Sequence, residues 1–206
     1  MIAFGLSFIM VLMLAQPASA QTETGSVTDP VGDANMWILK NQPIPGYLDI
    51  VGAEVTLEGG IFTMILDMAA TIPDEPEFVK GANIYWWEWA FDTGPGFYPI
   101  FPFGSTWEER TVIIQWDGEE WSADLYDWTS VQNWKDPVLS YSLDLTRDPQ
   151  QFEVTVQSEQ MGDPETFLWG AGTLGWLSPS IRASYAWWPF DMAVDETTGE
   201  WASWPE

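Results

Sequence analysis

Apolar and polar positions alternate along much of the chain with a period of two. Residues 49–57 (DIVGAEVTL) place an apolar side chain at nearly every second position, the pattern of a half-buried strand. Glu58-Gly59-Gly60 follows, and the alternation resumes over 61–72 (IFTMILDMAATI), so the two runs read as a hairpin. Pro73-Asp74-Glu75-Pro76 ends the second strand, because proline has no N–H to give a ladder. A third strand is predicted over 84–91, within NIYWWEWAFD. One of its faces carries Tyr85, Trp87, Trp89 and Phe91, the other Ile84, Trp86, Glu88 and Ala90. Burying an unpaired carboxylate is costly, so the Glu88 face is predicted to meet solvent, with Trp87 and Trp89 in the core. Trp86 is then the indole left for a ligand.

Beyond this strand, 94–109 (GPGFYPIFPFGSTWEE) reads as a long loop. Residues 110–116 and 119–126 flank Asp117-Gly118, a strong hairpin signal. A further pair, 138–145 and 152–158, surrounds Arg147-Asp148-Pro149-Gln150. A short helix or turn is predicted over 163–168, with Asp163 as cap and Pro164 at the first position. Residues 181–188 read as a last strand, followed by 190–195 and a tryptophan-containing tail. Residues 21–26 read as a linker. Many short strands without a long amphipathic helix predict an all-β protein, an antiparallel β-sandwich formed by a single domain over 21–206.

The first twenty residues, MIAFGLSFIMVLMLAQPASA, form an apolar run ending in Ala18-Ser19-Ala20, the pattern of a secretory signal peptide cleaved before Gln21. The expected location is therefore secreted or extracytoplasmic, with no integral membrane segment after cleavage. A net charge of −25 makes nucleic acid and anionic lipid poor partners and calcium a good one, since that ion prefers carboxylate oxygens. The chain has no cysteine, hence no disulfide, and no histidine. That excludes a Ser-His-Asp triad, a Cys-His pair and histidine-ligated zinc or haem, and leaves carboxylates, Tyr, Lys or a metal for any chemistry.

The most specific signal is an ordered set of acidic motifs. Asp29-Pro30-Val31-Gly32-Asp33 stands first, then Asp49-Ile50 opening a strand, Asp92-Thr93 closing one, and Asp191-Met192-Ala193-Val194-Asp195 near the C-terminus. In this order they resemble the secreted β-sandwich superfamily that contains DOMON domains, family-9 carbohydrate-binding modules and the C-terminal domains of glucodextranase-type enzymes. Two positions depart from its pattern: Gly94 stands where a second aspartate is usual, and Val194 where proline is usual. The resemblance implies a jelly-roll-like sandwich with bound calcium and, in one branch, a saccharide held by aromatic rings. Asp29 and Asp33 flank a glycine turn, so their carboxylates can converge on one ion, with Asp49, or Asp191 and Asp195 from the other end of the chain, completing the oxygen shell. The same aspartates serve equally as turn formers, bonding nearby backbone N–H groups.

The second signal is aromatic: 15 Trp, 11 Phe and 6 Tyr exceed what a core of this size needs. Indole faces stack on pyranose rings, and neighbouring acids bond the hydroxyls. Candidates are Trp86, Trp107, Trp116, Trp121, Trp128, Trp134, Trp176, Trp187, Trp188, Trp201 and Trp204, with Trp86, Glu88, Trp116 and Trp121 as the ligand-binding set. Against this stands ordinary core filling by large rings. Carboxylate pairs of a glycosidase are available among 31 acids, but that abundance gives any pair no specificity. Some DOMON relatives bind haem, which here would need ligation by methionine alone. The expectation is a non-catalytic extracellular carbohydrate-binding module with structural calcium. The alternative is a structural or protein-interaction domain of the envelope or matrix, with an extracellular protein as its partner.

Overall fold

The structure is a computed structural model that describes residues 22–34, 43–79, 81–93, 99–101, 104–106, 110–127, 138–177, 187–193 and 202–205. Two antiparallel sheets pack face to face, as the alternation predicts. The strands are β1 (Glu23–Thr28), β2 (Ile50–Glu58), β3 (Ile61–Met68), β4 (Ala82–Asp92), β5 (Pro99–Phe101), β6 (Gly104–Thr106) and β7 (Arg110–Trp116). They continue with β8 (Trp121–Asp127), β9 (Val138–Ser142), β10 (Leu145–Asp148), β11 (Gln151–Gln157), β12 (Phe167–Leu177), β13 (Trp187–Ala193) and β14 (Ala202–Trp204). One sheet runs β1-β2-β3-β11-β10; the other runs β13-β12-β4-β7-β8-β9, with β14 also on β12. The chain crosses between sheets after β3, β9 and β11. Among the described residues no helix is long and apolar enough to cross a membrane.

The predicted hairpins form where turn chemistry allows. Gly59 and Gly60 both take positive φ between β2 and β3, and Gly118 does so between β7 and β8. Beside it, the Asp117 carboxylate accepts the N–H groups of Glu119 and Glu120, which hold its pKa below the usual value. Val55, Phe62, Met64, Leu66, Phe152 and Val154 from one sheet meet Tyr85, Trp87, Trp89, Phe91, Val112, Ile114 and Trp169 from the other. Trp87 and Trp89 are fully buried, as their face predicts.

Five expectations are corrected. Residues 23–28 are not linker but the edge strand β1, paired over its whole length with β2. The run 138–145 is not one strand: β9 pairs with β8, and the chain then changes sheet so that β10 makes the hairpin with β11. The loop 94–109 contains the β5–β6 hairpin. Asp163 caps no helix; a 3-10 turn occupies Ser158–Met161, and Asp163 follows it with positive φ, accepting the Ser158 hydroxyl. Finally, β12 takes the place beside β4, in a stretch with no predicted strand; of the predicted strand 181–188, residues 181–186 lie outside the described residues, and Trp187 and Trp188 belong to β13.

Candidate functional site

Register brings three side chains of the larger sheet into one row. Thr173 of β12 lies opposite Trp87 of β4 on one side and Asp191 of β13 on the other, all facing the second sheet. Each bonds the backbone entering β2: Trp87 Nε1 donates to the Tyr47 carbonyl (2.9 Å), Thr173 Oγ1 to the Leu48 carbonyl (2.7 Å), and Asp191 Oδ2 accepts from the Ile50 N–H (2.6 Å). The segment between them is a 3-10 turn, Gly46–Leu48, packed so closely that a Cβ on Gly46 would lie 2.8 Å from that of Ala70. This row fixes Asp49, whose carboxylate turns back toward the chain leaving β1. Its Oδ2 accepts the Gly32 N–H at 2.8 Å, and Gly32 reaches that bond through a positive φ.

Around this point the acids gather. Asp29 directly follows β1, Asp33 follows the Val31-Gly32 turn, and Asp191 comes from β13, far along the chain. Carboxylate oxygens of these three lie within 4.8 Å of one another, a spread that oxygens sharing one calcium at 2.3–2.6 Å can take up. Asp49 and Asp191 are only 5% and 8% exposed, and Asp49 Oδ1 has no hydrogen-bond partner. An orphaned buried carboxylate oxygen is a large local cost unless a cation answers it. The described Lys and Arg residues, Arg110 and Arg147, are engaged elsewhere, with Asp127 and Asp74. Burial therefore pushes Asp191 up to about 7, against the N–H bonds from Ile50 and Met192, with the charges of Asp33 and Asp49 adding to the rise. An all-oxygen donor set with one unanswered buried carboxylate oxygen fits a hard divalent ion. Asp195 lies outside the described residues. Asp92 stands apart from the cluster: it is five residues along β4 from Trp87, about 17 Å at the rise of a strand, and on the opposite face.

The predicted ligand-binding set divides. Trp116 and Trp121 do not form a surface platform. Trp116 is 5% exposed, and Trp121 is sandwiched among Trp116, Trp87 and Phe152, with ring centroids 5.2–5.5 Å apart. Their N–H groups are spent on the carbonyls of Pro76 and Asp74, and the Arg147 guanidinium covers Trp121 at 4.6 Å. Both indoles thus tie down the segment that follows β3. Glu88 is also corrected: it is 4% exposed, beside the equally buried Ala90 and Ile113 on the outer face of the larger sheet. Period-two parity assigns its face correctly, but that face is closed to solvent at Glu88 and Ala90. Trp86, on the same face, is half-buried, and its Nε1 donates to Gln115 Oε1 at 2.7 Å.

Trp204 is buried, stacked on Phe167 at 4.7 Å. Trp176, Trp187 and Trp188 fall within β12 and β13, while Trp107, Trp128, Trp134 and Trp201 lie outside the described residues. Thr173 is the residue of this row that the sequence does not reveal; a lone threonine in a glycine-rich stretch carries no signal until register sets it between Trp87 and Asp191. No protein-family model matches the chain, and a search of curated proteins finds no match.

Proposed function

We infer that this chain is a secreted, non-catalytic β-sandwich of the DOMON-like or family-9 carbohydrate-binding type, held by a structural calcium ion and binding a saccharide. The observation that carries the reading is the acidic cluster: Asp29, Asp33 and Asp191 converge within 4.8 Å near Asp49, whose Oδ1 is buried without a partner, linking distant parts of a chain without disulfides. Calcium there would be held by these four side chains and would supply the charge that the site lacks. Saccharide recognition rests on the outer face of the larger sheet. Trp86 keeps a half-exposed indole whose orientation is set by Gln115, and Glu88, buried two residues along, takes no part in the contact surface. A fixed flat ring beside polar groups suits the apolar face of a pyranose and its hydroxyls.

Two measurements test this. Calorimetric titration with calcium should show one site, and chelator should lower the melting temperature until calcium is restored. Tryptophan fluorescence against a panel of soluble glycans should saturate with one sugar class and lose that response in Trp86→Ala. A folded protein silent to every glycan would move the reading to a protein-interaction domain. Melting indifferent to both chelator and calcium would remove the ion.

A further inference from the structure

The strand β1 is held weakly for an element that joins a core. Among the described residues it is an edge strand with a single hydrogen-bonded neighbour, β2, and its sequence, ETGSVT, turns only Gly25 and Val27 inward. Val27 is the one buried side chain of any size. Opposite Gly25 stand two indoles from the other sheet: a Cβ at that glycine would meet Trp204 Cδ1 at 3.1 Å and Trp169 Nε1 at 3.2 Å. The N–H groups of Trp169 and Trp204 are both buried without a partner. Docking β1 thus seals two indole donors from water and returns no acceptor to them. Immediately after the strand come Asp29 and Asp33, which docking brings against Asp49 and Asp191. Little apolar gain, two unanswered donors and the repulsion of gathered carboxylates all weigh against the docked state.

We propose that the calcium site works as a latch for β1: the ion docks the N-terminal strand onto β2, and its loss releases that strand while the rest of the sandwich stays folded. The inference rests on the calcium reading above and adds which segment the ion controls. Release bares the outer edge of β2, with its unpaired backbone groups, and wets the Trp169 and Trp204 N–H groups. The ladder from Glu23↔Leu57 to Thr28↔Gly52, together with the Asp29 N–H bond to the Val51 carbonyl, is what would open. The larger sheet and the β2-β3-β11 ladder keep their registers and most of the core.

Hydrogen exchange read by mass spectrometry on the full chain, in millimolar calcium and in chelator, tests the latch. In chelator, amides of 23–28 and their partners in 52–57 should exchange at least about tenfold faster, with β4, β7 and β12 unchanged. A uniform acceleration across both sheets would overturn the latch, leaving calcium as a global stabiliser. So would unchanged β1 protection in a protein whose titration heat shows that calcium binds. No binding heat would overturn the latch and the calcium reading together. Val27→Ala adds a reciprocal check, since it loosens β1 without altering a carboxylate. Coupling is mutual, so its calcium affinity should fall by up to about tenfold. Wild-type affinity in this variant would again overturn the latch.

Discussion

Asp191→Asn should stabilise the calcium-free protein near neutral pH and remove its stabilisation by calcium. The carboxyl is buried against Asp33 and Asp49, and its pKa stands at about 7 against an ordinary 3.8. Holding it ionised without a cation costs up to about 4 kcal/mol, the rise converted at about 1.36 kcal/mol per pH unit. The sign follows from proton counts. Between about pH 4 and pH 7 the folded state keeps this proton while the unfolded state releases it, so stability falls as pH rises through that window. The amide escapes this cost but gives up one of two acceptor oxygens, and both now receive N–H bonds, from Ile50 and Met192. Leaving one of those donors unanswered costs about 1–2 kcal/mol.

The net expectation in chelator near pH 7.5 is a gain of about 1–3 kcal/mol, shrinking or reversing near pH 4 where the wild-type carboxyl is itself neutral. In calcium the order inverts, because the ion stabilises only the form that binds it, by RT ln(1 + [L]/Kd). Urea unfolding followed by tryptophan fluorescence at both pH values, with calcium and with chelator, gives all four comparisons. A variant no more stable than wild type in chelator near pH 7.5 would refute the reasoning, since Asp191 would then not be a penalised charge.

Other perturbations separate the parts of the argument. Gly175→Ala would set a Cβ 2.5 and 2.7 Å from Phe190 ring carbons, on a ring that is itself buried, and should cost about 1–3 kcal/mol in urea unfolding; an unchanged midpoint would show that the two strands can part there. Trp121→Ala deletes the ring between Trp87, Trp116 and Phe152 together with its bond to Asp74, and should cost about 3–5 kcal/mol. Glycan affinity measured on the folded fraction should not change, and a selective loss of glycan binding would return Trp121 to the binding surface. Asp33→Asn, at an exposed position, should leave stability in chelator within about 0.5 kcal/mol while weakening calcium by tenfold or more in calorimetry; equal affinity would take Asp33 out of the shell.

The hairpins β2–β3 and β7–β8 were legible because period and turn residues agree there: alternating runs meet at Gly59-Gly60 and at Asp117-Gly118, where positive φ is needed. β12 was illegible because Gly170, Gly172 and Gly175 dilute its apolar period. At Gly175 the reason lies in another strand, since the Phe190 ring occupies the space of a Cβ. β1 was illegible because an edge strand that buries one valine writes almost no pattern. The same two strands decide the site. Aspartates beside turns can be read as ligand candidates from the chain alone, but Asp191 reaches Ile50 only through the row Trp87–Thr173–Asp191, and that row exists only once β12 lies between β4 and β13. Asp29 reaches Asp191 only if β1 docks. The aromatic set divided for a different reason. Alternation says which side chains share a face but not which face is wet, and both faces of β4 are buried over 88–92. Glu88 therefore lost its predicted exposure while keeping its predicted side, and Trp116 and Trp121, beside a solvent-facing turn, spend their N–H groups on the segment after β3 and Trp121 packs its ring on Trp87 and Phe152.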